Sequence, residues 1–290
     1  MKQSNLIKRF RVDRPKNFKL AEFDPADTAG FKKTGANKIV KAHAERLGEL
    51  QERLYAEDRW ALLIILQGVD AAGKDSVIKR VMAELNPQGC AVHPFKVPTS
   101  EELEHDFLWR VVKRLPYRGD IAIFNRSHYE DVLVVRVHED LLEKRRLPPA
   151  LVTGRIWQER FEDINAFERH LTRSGTVVVK FHLRISKEEQ KRRLLARLDE
   201  PAKRWKFSAD DVAERKLWDR HMNAYEDMIR NTSTPEAPWY VVPADHKWFA
   251  RLMVATVLVD VLDRLDLKYP TFDAAALGKM KKIRKALKAD

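Results

Sequence analysis

The run WALLIILQ (Trp60–Gln67), followed at once by GVDAAGKDS (Gly68–Ser76), constrains the fold more than any other stretch of the 290 residues. A continuous apolar run ended by glycine predicts a strand buried on both faces, as in a parallel sheet. The pattern behind it, G-x-x-x-x-G-K, carries two glycines that let the backbone curl until successive N–H groups converge on an anion. A helix expected over Lys74–Leu85 adds its positive N-terminal end, and Lys74 adds a mobile charge. Gly68, Ala71, Ala72, Gly73, Lys74, Asp75 and Ser76 are therefore the expected phosphate cradle. The pattern departs from its usual form at Asp75, which stands where a magnesium-binding hydroxyl is common, with Ser76 one residue later. Asp70, inside the loop, would repel phosphates unless a divalent cation lay between them. It reads as a magnesium ligand or as an orienter of an acceptor phosphate.

Strand and helix patterns then alternate. Cys90–Phe95, Asp120–Asn125, Thr176–Ile185 and Trp239–Val242 read as strands. Residues 37–55, 99–115, 158–172, 186–198, 208–228 and 247–265 read as helices, the last of them amphipathic, and the starts at Thr99 and Ser186 have capping-box form. Such alternation implies an α/β protein, a phosphate-loop three-layer α/β/α fold around a mostly parallel five-stranded sheet. Residues 1–34 are basic, show no sustained period, and read as an arm lying on the surface or on a neighbouring subunit. No repeat, linker or composition break divides the chain, so 1–290 reads as one domain. The Lys-rich tail Lys279–Lys288 reads as a solvated helix.

The third strand ends in FNRSHYED (Phe124–Asp131), and the carboxyl ends of strands in open α/β sheets face the ligand crevice. An acidic residue at this tip would hold magnesium; the residue here is Asn125, a neutral ligand, so charge must come from Asp70, Glu130 or Asp131. Arg126 is set to grip a phosphate bidentately. For Asp131 two readings stand side by side, a metal ligand or a solvated first-turn carboxylate. His128 belongs to the same motif and is a candidate to touch a ligand. Farther on, Lys191, Arg192, Arg193, Arg197, Lys203, Arg204 and Lys206 crowd a stretch opposed only by Asp199 and Glu200. A segment of this kind after the fourth strand reads as a lid, within 186–230, closing over phosphates. Trp205 and Phe207 read as anchors of that segment, or as a platform for a base, and Trp218 and Tyr225 as packing.

With 55 Lys and Arg against 43 Asp and Glu, the formal charge is +12, which favours an anionic partner. The nine histidines show no metal-ligand spacing and the lone Cys90 excludes a zinc cluster, which argues against a structural transition metal. No leader or membrane span is legible, and one unpaired cysteine suits a reducing cytoplasm. An ATP-dependent nucleotide or small-molecule kinase would explain loop and lid but leaves the charge excess without a purpose. A nucleic-acid binder would explain the charge, yet no helix-turn-helix, RNP or zinc-finger pattern is present.

Over nearly its whole length the chain resembles the family-2 polyphosphate kinases. The resemblance is carried by LQGVDAAGKDSVIK (Leu66–Lys79), LNPQGC (Leu85–Cys90), EELEHDFLWR (Glu101–Arg110), IFNRSHYEDVLVVRVH (Ile123–His138), RFEDINAFERHL (Arg160–Leu171), SKEEQKRRLLARLDEPAKRWKFS (Ser186–Ser208) and PWYVVPADHKWFARL (Pro238–Leu252). It implies a magnesium-dependent, reversible phosphotransferase that moves the terminal phosphoryl group of inorganic polyphosphate to AMP or ADP. Many subgroups carry Asp at the position of Asn125, and the form here is similar to the branch accepting both nucleotides. The catalytic set so implied is Asp70, Lys74, Asn125, Arg126 and Glu130; the metal set is Asp70, Asn125 and Asp131; the lid cations are Arg193, Arg197 and Lys206. Expected partners are polyphosphate and adenine nucleotides, with guanine nucleotides a second class, and a second or fourth copy of the chain; nucleic acid and membrane are not expected.

Overall fold

A computed structural model describes residues 3–289. Five strands, β1 (Ala61–Gln67), β2 (Cys90–Pro94), β3 (Ile121–Asn125), β4 (Thr176–Arg184) and β5 (Trp239–Pro243), form one sheet in the order β2-β3-β1-β4-β5. Every neighbouring pair is parallel, so the mostly parallel sheet expected from the sequence is wholly parallel. β1 sits at the centre and is buried along its full length. Leu62, Ile64 and Leu66 point into one apolar layer, whereas Leu63 and Ile65 point into the other. A strand packed on both faces must be apolar at consecutive positions, and that is the physical source of the run.

Helices Lys33–Glu57, Lys74–Val81 and Lys247–Asp263 belong to the first layer; Ile156–Arg173 and Trp218–Thr232 cover the opposite face. Helix Lys247–Asp263 is not amphipathic. From Phe249 to Val259 only Arg251 is not buried, because the helix is sandwiched between the sheet and helix Lys33–Glu57. The basic N-terminal segment is also no surface arm. Helix Gln3–Phe10 buries Leu6, Ile7 and Phe10, and Arg11 bridges antiparallel to Tyr240, tying the segment to the edge strand β5.

Two of the expected long helices are broken. Residues 99–115 hold two single turns, Ser100–Leu103 and Trp109–Val112, the first opened by a complete Thr99/Glu102 capping box. Residues 208–228 divide at Leu217 into Asp210–Lys216 and Trp218–Thr232. Helix Ala274–Leu287, capped by Asp273, buries none of its side chains, in line with a solvated tail. Among the described residues no helix is long and apolar enough to cross a membrane.

Candidate active site

The strand tips bring the sequence motifs together. Register pairs Leu66 of β1 with Asn125 of β3, and Arg126 N–H donates to the Leu66 carbonyl at 3.0 Å. The loop leaving β1 and the turn leaving β3 therefore start side by side. Gly68 permits the first bend, since a Cβ there would lie 2.9 Å from the Leu183 carbonyl oxygen. Gly73 caps helix Lys74–Val81 at φ +114°, a conformation that L side chains rarely adopt.

Lys74 is buried, and its Nζ donates to the loop's own carbonyls, Gly68 O at 2.6 Å and Val69 O at 3.3 Å. Burial, helped by the Arg126 charge, lowers its pKa to about 8. Arg126 bridges two carboxylates, with Nη2 to Asp70 Oδ1 at 2.5 Å and Nη1 to Glu130 Oε2 at 3.0 Å. It adopts φ +65°, a left-handed conformation that costs a non-glycine residue roughly 1–2 kcal/mol. Burial would push the Asp70 carboxyl up, but Arg126 and then Lys74 hold it below its ordinary value. Asp75 accepts from Asn125 Nδ2 at 3.0 Å and from Lys206 Nζ at 3.2 Å, so it joins the β3 tip to the basic segment. Glu130 thus faces the site through Arg126.

Other expectations are redirected. Arg193 is buried, and its guanidinium clamps the loop: Nη1 reaches Ala71 O at 2.9 Å and Ala72 O at 2.8 Å, while Nη2 reaches Ala244 O at 2.6 Å and Asp245 O at 3.0 Å. Its Nε pairs with Glu189, so it shapes the cradle instead of reaching for phosphate. Arg197 pairs with Asp211 at 2.5 Å. Ser76 Oγ accepts from Arg251 at 2.7 Å. Asp131 is neither a site carboxylate nor solvated: it is buried between Arg145, at 2.7 Å, and Arg160, at 3.4 Å. His128 is buried against Phe167 and Tyr129, with its Nε2 3.7 Å from Glu168 Oε1. Trp205, 78% exposed, anchors nothing; Lys206 lies over its ring.

Two cavities open at the strand tips. One, of about 440 Å³, runs from the loop to the basic segment and is lined by Lys74, Lys96, Arg126, Arg192, Arg193, Arg197, Lys203, Lys206 and Lys247 against Asp70, Asp75 and Glu200. The other, of about 450 Å³, is mostly apolar, with Val69, Phe95, Val97, Val134, Val135, Leu141, Trp218 and Tyr225 in its walls. Trp218 and Tyr225 are thus cavity walls as well as packing. Asp70, Phe95, Lys96 and Arg126 belong to both cavities, which meet there. Asp70, Asp75 and Asn125, all in the wall of the basic cleft, offer oxygen donors of the kind a hard divalent cation takes, and the Asp70 and Asp75 side chains keep 37% and 68% of their surface open.

A family model described as polyphosphate kinase 2 matches residues 30–270. A protein of Rhodopseudomonas palustris called ADP-polyphosphate phosphotransferase is 45% identical over 283 residues, covering 97% of this chain and 98% of its own. An AMP/ADP-polyphosphate phosphotransferase of Meiothermus ruber is 46% identical over 272 residues, covering 93% and 98%. The crystal structure of polyphosphate kinase 2 from Arthrobacter aurescens superposes with a TM-score of 0.85 at 43% identity, covering 95% of each chain.

Proposed function

The chain belongs to the polyphosphate kinase 2 family, and from that premise we propose that it passes phosphoryl groups between inorganic polyphosphate and AMP or ADP where its two cavities meet. The observation that carries the reading is the pairing of a cationic cleft with an apolar cavity through the shared Asp70 and Arg126. A chain of phosphates suits the first. A nucleoside suits the second, where Phe95, Trp218 and Tyr225 can bury and stack a purine, guanine as well as adenine.

Loop N–H groups and the N-terminus of helix Lys74–Val81 hold the phosphates in line. Lys74, released from the Gly68 carbonyl, neutralises charge on the transferring group, and Arg126 does so from the β3 side. An acceptor phosphate is already ionised, so no general base is required; Asp70 orients and Glu130 sets the Arg126 guanidinium. Asp70, Asp75 and Asn125 would hold magnesium, which would supply charge neutralisation to the phosphates. Lys206 and Arg197 belong to the lid within 186–230, and Arg193 positions the loop.

Residues 1–290 act in this reading as one domain. The exposed side chains of Tyr117 and Trp205 support assembly into a dimer or tetramer. The free Cys90 thiol supports a cytoplasmic setting, and the gathering of nine cationic side chains in one cleft at the phosphate loop supports polyphosphate over nucleic acid or membrane as its polyanion. Purified protein given magnesium and polyphosphate should convert AMP to ADP and ADP to ATP. Absence of product from both acceptors overturns the reading.

A further inference from the structure

Three side chains from three elements converge beside the apolar cavity, away from the phosphate loop. His138 follows the turn Val134–Val137, Glu214 lies on helix Asp210–Lys216, and His221 on helix Trp218–Thr232. The Glu214 carboxylate stands between the imidazoles, Oε1 at 2.8 Å from His138 Nε2 and Oε2 at 2.7 Å from His221 Nε2. One ligand atom from each residue falls within 4.8 Å of the other two.

Hydrogen bonding accounts for only half of this arrangement. His221 Nε2 bonds the carboxylate, but His138 Nε2, shielded from solvent, lies 2.8 Å from the other carboxylate oxygen without the alignment of a hydrogen bond. A buried polar atom without a partner is unfavourable in a folded protein unless something else satisfies it. Two imidazoles and one carboxylate form the three-ligand set that zinc-class cations take with an open fourth position, whereas magnesium prefers oxygen alone. Glu214 and His221 line the apolar cavity, so the open position would face it.

We propose that His138, Glu214 and His221 form a binding site for one zinc-class divalent cation, built from residues other than the phosphate-loop carboxylates and bordering the cavity given above to the nucleoside. An ion there ties the Glu214 helix, which follows the basic segment, to the body of the protein through His138 and His221. Glu214 and His221 lie only two helical turns apart, but His138 precedes them by more than seventy residues and joins them only through the fold, so no spacing rule could have found the full set.

Dialysed full-length protein titrated with Co²⁺ alone should bind one equivalent with the visible d–d bands of a histidine-ligated ion. Zn²⁺ should displace it, and Mg²⁺ in large excess should not. His138→Gln and His221→Gln should each weaken binding by more than the ~10–100-fold typical of losing an outer-shell partner. Asp70→Asn should leave it intact, and Zn²⁺ should raise the Tm of the wild type but not of the histidine variants. Absence of d–d bands in the wild type overturns the proposal, as do affinities unchanged in both histidine variants or abolished by Asp70→Asn.

Discussion

Lys74 is held on the Gly68 carbonyl, with its pKa lowered to about 8 by burial and by Arg126. A lowered lysine pKa means that the empty enzyme loses this charge as pH rises through about 8, well before an ordinary lysine would. Phosphate binding restores the charge, so kcat/KM should fall above pH 8, and binding there should take up a proton, which calorimetry in buffers of different ionisation enthalpy reads directly. Lys74→Ala should lower kcat by ~10²–10³-fold and abolish the alkaline limb. Arg126→Lys keeps the charge but cannot bridge Asp70 and Glu130. It should reduce kcat by ~10²-fold, the lower end for one lost transition-state donor, while the KM for polyphosphate moves little; equal losses in kcat and in binding would deny it a role at the transferring group. The left-handed φ of Arg126 gives the same indication, because strain of that kind persists only where neighbours hold it.

Among the elements, the phosphate loop depends on a helix more than a hundred residues away. Arg193 of helix Lys187–Asp199 holds the carbonyls of Ala71 and Ala72 on one side and of Ala244 and Asp245 on the other. A lysine cannot span both, so Arg193→Lys should lower stability by ~1.5–3 kcal/mol and raise the KM for polyphosphate, measured by denaturant unfolding and kinetics together. Beneath the sheet, Lys180 of β4 meets Glu168 at 2.5 Å with both side chains inaccessible. Lys180→Met should destabilise by ~3–5 kcal/mol, because it strands a buried carboxylate. Burial would push Glu168 up, but Lys180 and His128 hold it down, so this stabilisation is present at neutral pH and lost as pH falls. β1, its loop and the β3 tip were legible in the sequence because buried strands and phosphate turns are encoded by adjacent residues. Helix Gln3–Phe10 was not, since Leu6, Ile7 and Phe10 make a single turn of pattern amid basic residues. Asp131 was misread because nothing local reveals Arg145 and Arg160 closing over it. Arg193 looked like a lid cation because a count of charges does not say which carbonyls a guanidinium meets.

Across the whole molecule, charge equal to half of the +12 excess surrounds a single cleft, with nine cationic side chains against three acidic ones. Long polyanions feel that field over distances comparable with the Debye length, about 10 Å at 0.1 M salt. Raising salt from 50 to 200 mM should therefore raise the KM for polyphosphate several-fold while leaving that for AMP much less changed, because the nucleoside cavity binds mainly by apolar contact. Equal salt slopes for donor and acceptor would mean that one surface serves both. The two cavities touch only along a shared wall, like two rooms with a common hatch. A nucleotide can leave by its own door while the polymer stays threaded and advances one link, so a single encounter can serve many turnovers, and chains should shorten one molecule at a time instead of all in step.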